Sequence, residues 1–335
     1  MFYLTKFLKG SLSILLFCLF IFLFLFGELV NKLAIFDKFP GAFFNVNTIF
    51  LSIILEAIPF ILLGVFVSAI IQSFVSENMI QKLMPRNAYL AVIPAALIGI
   101  IFPICECAII PVVRRLIKKG MPAHVGVAIM LSAPIINPVV YASTYFAFNS
   151  TPYMANARMF VSFICTIIIG LIVYRYFRKA DVLRTKKQDH PHDHDNHHSQ
   201  KNKLLATFYH ASDELFDMGK YLFIGAFLAS LFQVFFDRNV LLSFGTSTSG
   251  APGVMMGLSY VLSVCSAADA FIASSFGSTF TKGSLLAFLV FGPMLDIKNT
   301  FMLFAYFKKR FVLFLMVVIP FVVYVTVYIF QLTVW

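Results

Sequence analysis

Between Phe102 and Pro111 the chain reads Phe-Pro-Ile-Cys-Glu-Cys-Ala-Ile-Ile-Pro, its densest run of chemically capable side chains. Proline at 103 and 111 removes two backbone donors and opens a helix there. Glu106 lies inside an apolar run, where an acid is costly unless it is paired, protonated or hydrated. Cys105 and Cys107 carry thiolates of the kind that select soft ions such as Cu(I), Zn(II) or As(III). On a regular helix, residues two apart point about 200° from each other, so both thiols can grip one atom only where the backbone is unwound. The plainer alternative is a kinked packing helix, with the cysteines as small apolar fillers and Glu106 bonded to a neighbouring span.

A second constellation comes in two copies, Ser132-Ala-Pro134-Ile-Ile-Asn137-Pro138 and Gly292-Pro293-Met-Leu-Asp296-Ile-Lys298-Asn299. Each places a proline break three residues before a polar side chain, leaving free carbonyls and half-helix ends of the sort from which transporters build midplane sites. Asp296 and Lys298 either neutralise each other or face water at a span end. Glu56 and Asp217 lie within or just before apolar segments, and Asp269 follows Cys265 by four residues. With Glu106 these acids form candidates for a proton relay or cation path. Glu56 and Asp217 equally suit a first helical turn, where a carboxylate complements the helix dipole. His124, just after Pro122, reads as a first-turn surface residue. A separate stretch, 189–198, holds His190, His192, His194, His197 and His198 among three aspartates. Such a tract binds divalent metal flexibly, as an accessory buffer or sensor rather than a defined centre.

These residues need a framework, and composition defines its class. Of 335 residues 60% are apolar and only 12% charged, with a mean hydropathy of +0.89. Soluble domains carry about 25% charged residues, so this chain is a multi-pass membrane protein. Within hydrocarbon every backbone polar group is satisfied internally, which makes the long apolar runs helices and the fold all-α. Runs at 11–27, 48–72, 88–113, 123–148, 159–177, 218–236, 253–277, 284–307 and 311–334 predict about eight or nine transmembrane helices, several of them broken by proline. The net charge of +11 lies largely in short loops beside these runs, the positive-inside pattern, so nucleic acid is not a partner. Five cysteines in apolar segments form no disulfide framework. No small-residue cleavage site follows the first run, which is read as a retained span. No Walker A loop, dinucleotide fingerprint, nucleophile elbow or His-Glu-x-x-His helix occurs, so neither a cofactor nor an enzyme is expected.

The halves match each other. Glu56 aligns with Asp217, Gly64 with Gly225, Asn78 with Asn239, Cys105 with Cys265, Gly120 with Gly283, and Pro134/Asn137 with Pro293/Asp296, at offsets between 159 and 163. Ordered matches of this kind indicate a duplication. The expected organisation is a span and loop at 1–46, a first repeat at 47–178, a His-rich linker at 179–210 and a second repeat at 211–335. Six basic residues between Arg175 and Lys187 place the linker in the cytoplasm. If every apolar segment crosses once, the repeats are parallel. Arg114–Lys119 and Lys282 are then cytoplasmic, and Lys308, Lys309 and Arg310 lie outside against the charge rule. Re-entrant segments around Pro103–Pro111 and Pro134–Pro138 would change that parity.

The motifs at 105–111, 132–138, 266–271 and 292–299 resemble those of the YraQ-type predicted permeases, which include the ArsP-like organoarsenical efflux permeases. The resemblance covers residues 48 to 334. It implies a plasma-membrane permease exporting a small soft or amphipathic solute of the trivalent organoarsenical type, with a pathway over Cys105, Glu106, Cys107, Pro134, Asn137, Cys265, Asp269, Pro293, Asp296 and Lys298. Membrane lipid and a small solute are its expected partners, together with a homo-oligomer or membrane subunit. The alternative is a metal-responsive membrane subunit whose His-rich loop binds divalent metal and recruits a partner.

Overall fold

The computed structural model describes residues 41–74, 88–101, 104–178, 180–184, 218–234 and 250–334. The expected span at 11–27, Asp217 and the His-rich tract lie outside these. The described residues are helical apart from short connections and one isolated backbone bridge, as expected of an all-α polytopic membrane protein. In chain order the helices are α1 (Gly41–Phe74), α2 (Ala88–Ile101), α3 (Glu106–Lys118), α4 (Ala123–Ser132), α5 (Pro138–Ala147), α6 (Pro152–Phe177), α7 (Met218–Val234), α8 (Ala251–Leu262), α9 (Asp269–Ser275), α10 (Lys282–Met294), α11 (Ile297–Tyr306) and α12 (Lys309–Val334).

Four of the predicted spans are each split into two helices. The run at 88–113 becomes α2 and α3, 123–148 becomes α4 and α5, 253–277 becomes α8 and α9, and 284–307 becomes α10 and α11. Local sequence explains two of these boundaries. Asn137 caps α5 by accepting from the Val140 amide at 2.9 Å, with Pro138 at the first helical position. Asp296 caps α11 the same way, accepting from the Asn299 amide at 2.7 Å. The break before α9 has no proline. There Ser263 takes a left-handed conformation at φ 48°, and the chain re-forms a helix at Asp269. Among the described residues, only the segments Asn45–Ser68, Pro152–Phe177, Lys282–Tyr306 and Lys309–Val334 are long and apolar enough to cross a membrane.

Side-chain contacts fix the direction of each helix. Tyr174, near the end of α6, touches Tyr89 at the start of α2 and His124 at the start of α4, with ring centroids 4.9 and 4.8 Å apart. Further along, a β-carbon at Gly170 of α6 would lie 2.8 Å from Val92 and 3.7 Å from Ala128. So α2 and α4 run parallel to each other and antiparallel to α6. His124 is buried in this contact rather than on the surface. At the other ends of these helices a β-carbon at Gly99 would meet the Cα of Ala133 at 2.8 Å, so α2 and α4 cross backbone to backbone.

The second set of helices behaves likewise with opposite sense. Gly253, early in α8, faces Tyr324, and Gly283, early in α10, abuts Gln331; both partners lie in the C-terminal half of α12. Hence α8 and α10 are parallel to each other and antiparallel to α12. In turn α12 is antiparallel to α6: Phe311 packs on Phe177 at 5.0 Å, and Phe330 near Phe160 at 6.3 Å. Helix α10 is central, packed by α4, α6, α8, α9 and α12, and every residue from Gly283 to Thr300 is buried.

One end of the bundle is basic. Arg178 lies over Tyr174, Arg114 lies over Tyr306 at 4.7 Å, and Leu183 bridges Phe307. The Lys308 ammonium meets Asp181 at 2.7 Å, and that neighbour holds the Asp181 carboxyl below its usual range. Lys308 therefore shares a side with the Arg175–Arg184 segment, whereas Lys282, beside Gly283 and Gln331, lies near the far end of the 26-residue α12, about 34 Å away at 1.5 Å per residue. This exchanges the sides expected for Lys282 and for Lys308–Arg310. The expectation assumed that each apolar segment crosses once, and the parallel pairs α2/α4 and α8/α10 show why that fails: the intervening α3 and α9 return the chain to the side it came from.

Candidate functional site

Three of the four helix breaks supply groups to one buried ammonium. Lys298, in the first turn of α11, donates to the Ser263 carbonyl at 2.8 Å, in the break before α9. Its Nζ is 3.0 Å from Glu106 Oε1, at the start of α3, and 3.4 Å from Asp296 Oδ2, the cap of its own helix. The last is an ionic contact outside hydrogen-bond geometry, since Asp296 Oδ2 has no hydrogen-bond partner. Lys298, Glu106 and Asp296 are 4, 3 and 1% exposed, so this charge cluster is cut off from bulk water. Gly225 of α7 makes room for it: a β-carbon there would lie 2.8 Å from the Lys298 Cα. Of the two sequence-level options for Asp296 and Lys298, pairing holds and the water-facing span end does not.

The thiols gather beside this cluster. Cys105 precedes α3 in extended conformation, φ −70° and ψ 164°, and Cys107 is in the first turn, so the two side chains do not diverge as they would on a continuous helix. The two thiols lie close together. Cys265 occupies the corresponding place before α9, and its carbonyl accepts from the Ala268 and Asp269 amides, as that of Cys105 does from Ala108 and Ile109. Glu56 of α1 lies close to the Cys265 thiol. Glu56 is well inside α1 and exposed, not in a first turn, because α1 begins at Gly41. Cys105 and Cys265 are half-buried and Cys107 is buried.

Asp269 belongs to a second charged pair. Its Oδ2 accepts from Arg158 at 2.7 Å, and Arg158 also donates to Thr144 at 2.8 Å. Arg158 is fully buried. The pair links α6 and α5 to α9, as Lys298–Glu106 links α11 to α3. Arg158 was missed from sequence because it falls one residue before the apolar run 159–177, where it reads as a flanking surface charge. The signal was available: an arginine with almost a full transmembrane stretch behind it and Pro152 marking an earlier helix start.

Asn137, Pro134 and Pro293 shape the breaks rather than the charge cluster. The Asn137 carboxamide is engaged locally, accepting from Val140 and donating to the Ala133 carbonyl at 3.1 Å. Pro134 and Pro293 are buried at the ends of α4 and α10. Among the described residues no group of three or more His, Cys, Asp or Glu is arranged to hold a metal ion. The arrangement thus offers soft thiol groups, two carboxylates on one ammonium, and half-helix ends, at the level where the helices break.

Comparison with known proteins agrees with a transport role. The chain is 51% identical over 284 residues to the UPF0718 protein YcgR of Bacillus subtilis, covering 84% of this chain and 96% of that one. It is 38% identical over 281 residues, 84% of this chain and 93% of the relative, to a Streptococcus mutans protein named "Putative two-component membrane permease complex subunit". No solved structure matches it. The sequence profile of the ArsP_1 predicted permeases matches residues 42–332, and the chain belongs to that family of multi-pass membrane permeases.

Proposed function

We propose that the chain is a secondary efflux permease for a small soft or amphipathic solute of the trivalent organoarsenical type, working by alternating exposure of the site at the helix breaks. The observation that carries this reading is the opposed sense of the two helix triads. The parallel pair α2/α4 with α6, and the parallel pair α8/α10 with α12, have the same internal packing and run in opposite directions. With the ordered sequence matches, this supports a duplication of inverted topology, with repeats at 47–178 and 211–335. In that arrangement α2–α3 and α8–α9 are re-entrant hairpins that start from opposite sides, with Cys105 and Cys265 at their tips. Each hairpin's return helix packs on the other repeat, α3 on α11 and α9 on α5. A rocking of one repeat against the other would expose the tips first to one side and then to the other.

The pathway on this reading runs over Cys105, Glu106, Cys107, Cys265, Asp269, Asp296 and Lys298, with Glu56 where α1 meets the second hairpin. Thiols suit a trivalent arsenical, which is soft and thiophilic. The name of the Streptococcus mutans relative also supports a membrane partner subunit for this chain. The test is uptake of phenylarsine oxide into energised everted vesicles containing the full chain. Cys105→Ser with Cys107→Ser should cut the initial rate about tenfold while leaving expression and monodispersity intact. Absence of uptake above empty vesicles, or a serine variant as fast as the parent, would refute the reading.

A further inference from the structure

The buried charges around Lys298 do not balance. Two carboxylates, Glu106 and Asp296, lie within 3.4 Å of a single ammonium, and all three side chains are at most 5% exposed. Arg158, the other lysine or arginine among the buried described residues, is already matched by Asp269. Three carboxylates therefore face two cations in the described interior, with the surplus negative charge at the Lys298 cluster. A surplus ion in a low-dielectric interior is costly unless it is neutralised. The oxygens there are also short of donors. Glu106 Oε2, Asp296 Oδ2 and Asn299 Oδ1 are buried acceptors with no hydrogen-bond partner. One proton shared between the two carboxylates removes the surplus charge and supplies the missing donor in a single step.

We propose that Glu106 and Asp296 together bind one exchangeable proton, and that this proton is the ion exchanged for solute in each transport cycle. The second half of that statement rests on the permease reading, while the proton site itself does not. The placement suits the role. Glu106 belongs to the return helix of the first hairpin, and Asp296 and Lys298 to α11 of the second repeat, so relative movement of the two changes how many carboxylates the ammonium meets. With Lys298 between both, two negative charges are partly tolerated. With the contact to Glu106 opened, that carboxylate must hold the proton. The titratable and charged groups that face the pair are few. They are Lys298 on α11, Cys105 and Cys107 at α3, Cys265 and Asp269 in the second hairpin, Glu56 through Cys265, and Tyr260 of α8 near Asp296. Apart from Lys298, none of these is cationic; Arg114 of α3 is about two helical turns from Glu106 and lies over Tyr306, and Lys220 of α7 is exposed, so neither sits in the buried cluster. On α4, which also packs against α3, the titratable residue is His124, at the basic end beside Tyr174.

A hydrophobic fluorescent carbodiimide gives a direct readout, because it reacts with protonated carboxyls in apolar surroundings and leaves an acylurea that peptide mass spectrometry locates. In membranes holding the full-length protein, labelling should fall on Glu106 or Asp296. It should decline by about tenfold per pH unit once the pair deprotonates. Glu106→Gln leaves Asp296 matched one-to-one by Lys298 and should remove that labelling at least tenfold, as Asp296→Asn should for Glu106. Lys298→Gln should extend labelling to pH values at which the parent is unreactive. For the coupling, collapsing the pH gradient across everted vesicles with nigericin should slow phenylarsine oxide uptake at least fivefold, and Glu106→Gln should make the residual rate independent of the gradient. Labelling that is absent at both residues, is indifferent to pH, or is suppressed by sodium at fixed pH overturns the proton site. Uptake that proceeds at full rate without a pH gradient overturns the coupling. If the parent protein moves no arsenical at all, it is the permease reading that fails, and the labelling result still decides the proton site.

Discussion

The Arg158–Asp269 pair is where removing one side chain should do most harm and removing two should do least. At 2.7 Å and an effective dielectric constant of about 20 the attraction is about 6 kcal/mol. Taking both ions out of water costs several kcal/mol each, so the pair as a whole contributes near zero. Removing one partner forfeits the attraction but keeps the other ion's desolvation. Asp269→Asn strands a fully buried guanidinium with Thr144 as its remaining partner, and Arg158→Met strands a carboxylate whose Oδ1 already has no donor. Each single substitution should cost about 3–5 kcal/mol. The double variant Arg158→Met, Asp269→Leu, apolar and of similar volume, should fall within about 1 kcal/mol of the parent, because no unpaired ion is left. The assay is reversible unfolding of the purified protein in mixed micelles by denaturing detergent, read as a double-mutant cycle. Single variants within about 1 kcal/mol of the parent would mean the pair is hydrated in solution and the burial argument is wrong. A double variant as unstable as the two singles added together would show that the side chains do more than compensate each other's charge. Should the double variant fold like the parent yet lose arsenical uptake, Asp269 acts on the pathway as well as in the fold.

The inverted arrangement predicts which loops share a side. Single cysteines placed at Lys119 and Lys308 should react with a membrane-impermeant maleimide only in everted vesicles, and cysteines at Ser150 and Thr333 only in intact cells, each scored as the gain over the parent's native thiols. Opposite sidedness of the 119 and 308 positions would rule the arrangement out. Asp181 and Lys308 give a pH test of the tie between the 181–184 segment and the start of α12. Both are about half exposed or more, so the pair contributes less than about 1 kcal/mol. Since Lys308 depresses the folded-state carboxyl, its contribution is present above the unfolded value of about 3.9 and is lost as pH falls through the lower folded value. Hydrogen-exchange protection of the Arg184 amide, which donates to the Tyr306 carbonyl, should therefore weaken in acid and in high salt, and should be flat in both for Asp181→Asn.

Much of the site was legible because intramembrane polar residues are expensive. Glu106, Asp269, Asp296 and Lys298 stood out as charges inside apolar runs, and the structure buries all four. The proline breaks were legible too, since the missing donor at Pro134 or Pro293 acts locally. What sequence could not give was partnership. Nothing in the spacing of Glu106 and Lys298, 192 positions apart, says that they meet, and the break at Ser263 that supplies a carbonyl to that ammonium has no proline to announce it. Asn137 and Asp296 were matched as equivalent site residues. They are equivalent as helix caps, yet only Asp296 has an ion pair, because Val139 stands two residues after Asn137 where Lys298 stands two residues after Asp296.

Direction was the least legible property, for a reason particular to broken helices. Hydropathy counts a segment of 26 apolar residues as one crossing whether its halves continue or fold back, since both bury the same residues. Charge at the loops distinguishes the two only if the loop's side is already known. In this chain the contradiction itself was informative: counting every segment as a crossing put Lys308, Lys309 and Arg310 outside. Contacts of Lys308 with Asp181 and of Arg114 with Tyr306 bring those charges back to the side of Arg178 and Arg184. The charge rule was obeyed, and the assumption of one crossing per segment was not. Two segments that fold back at Cys105 and Cys265 satisfy the charge rule, the parallel packing of α2 with α4 and of α8 with α10, and the matched motifs together. On the proposed reading, they also set the two thiol-bearing tips where the solute would be passed between opposite sides.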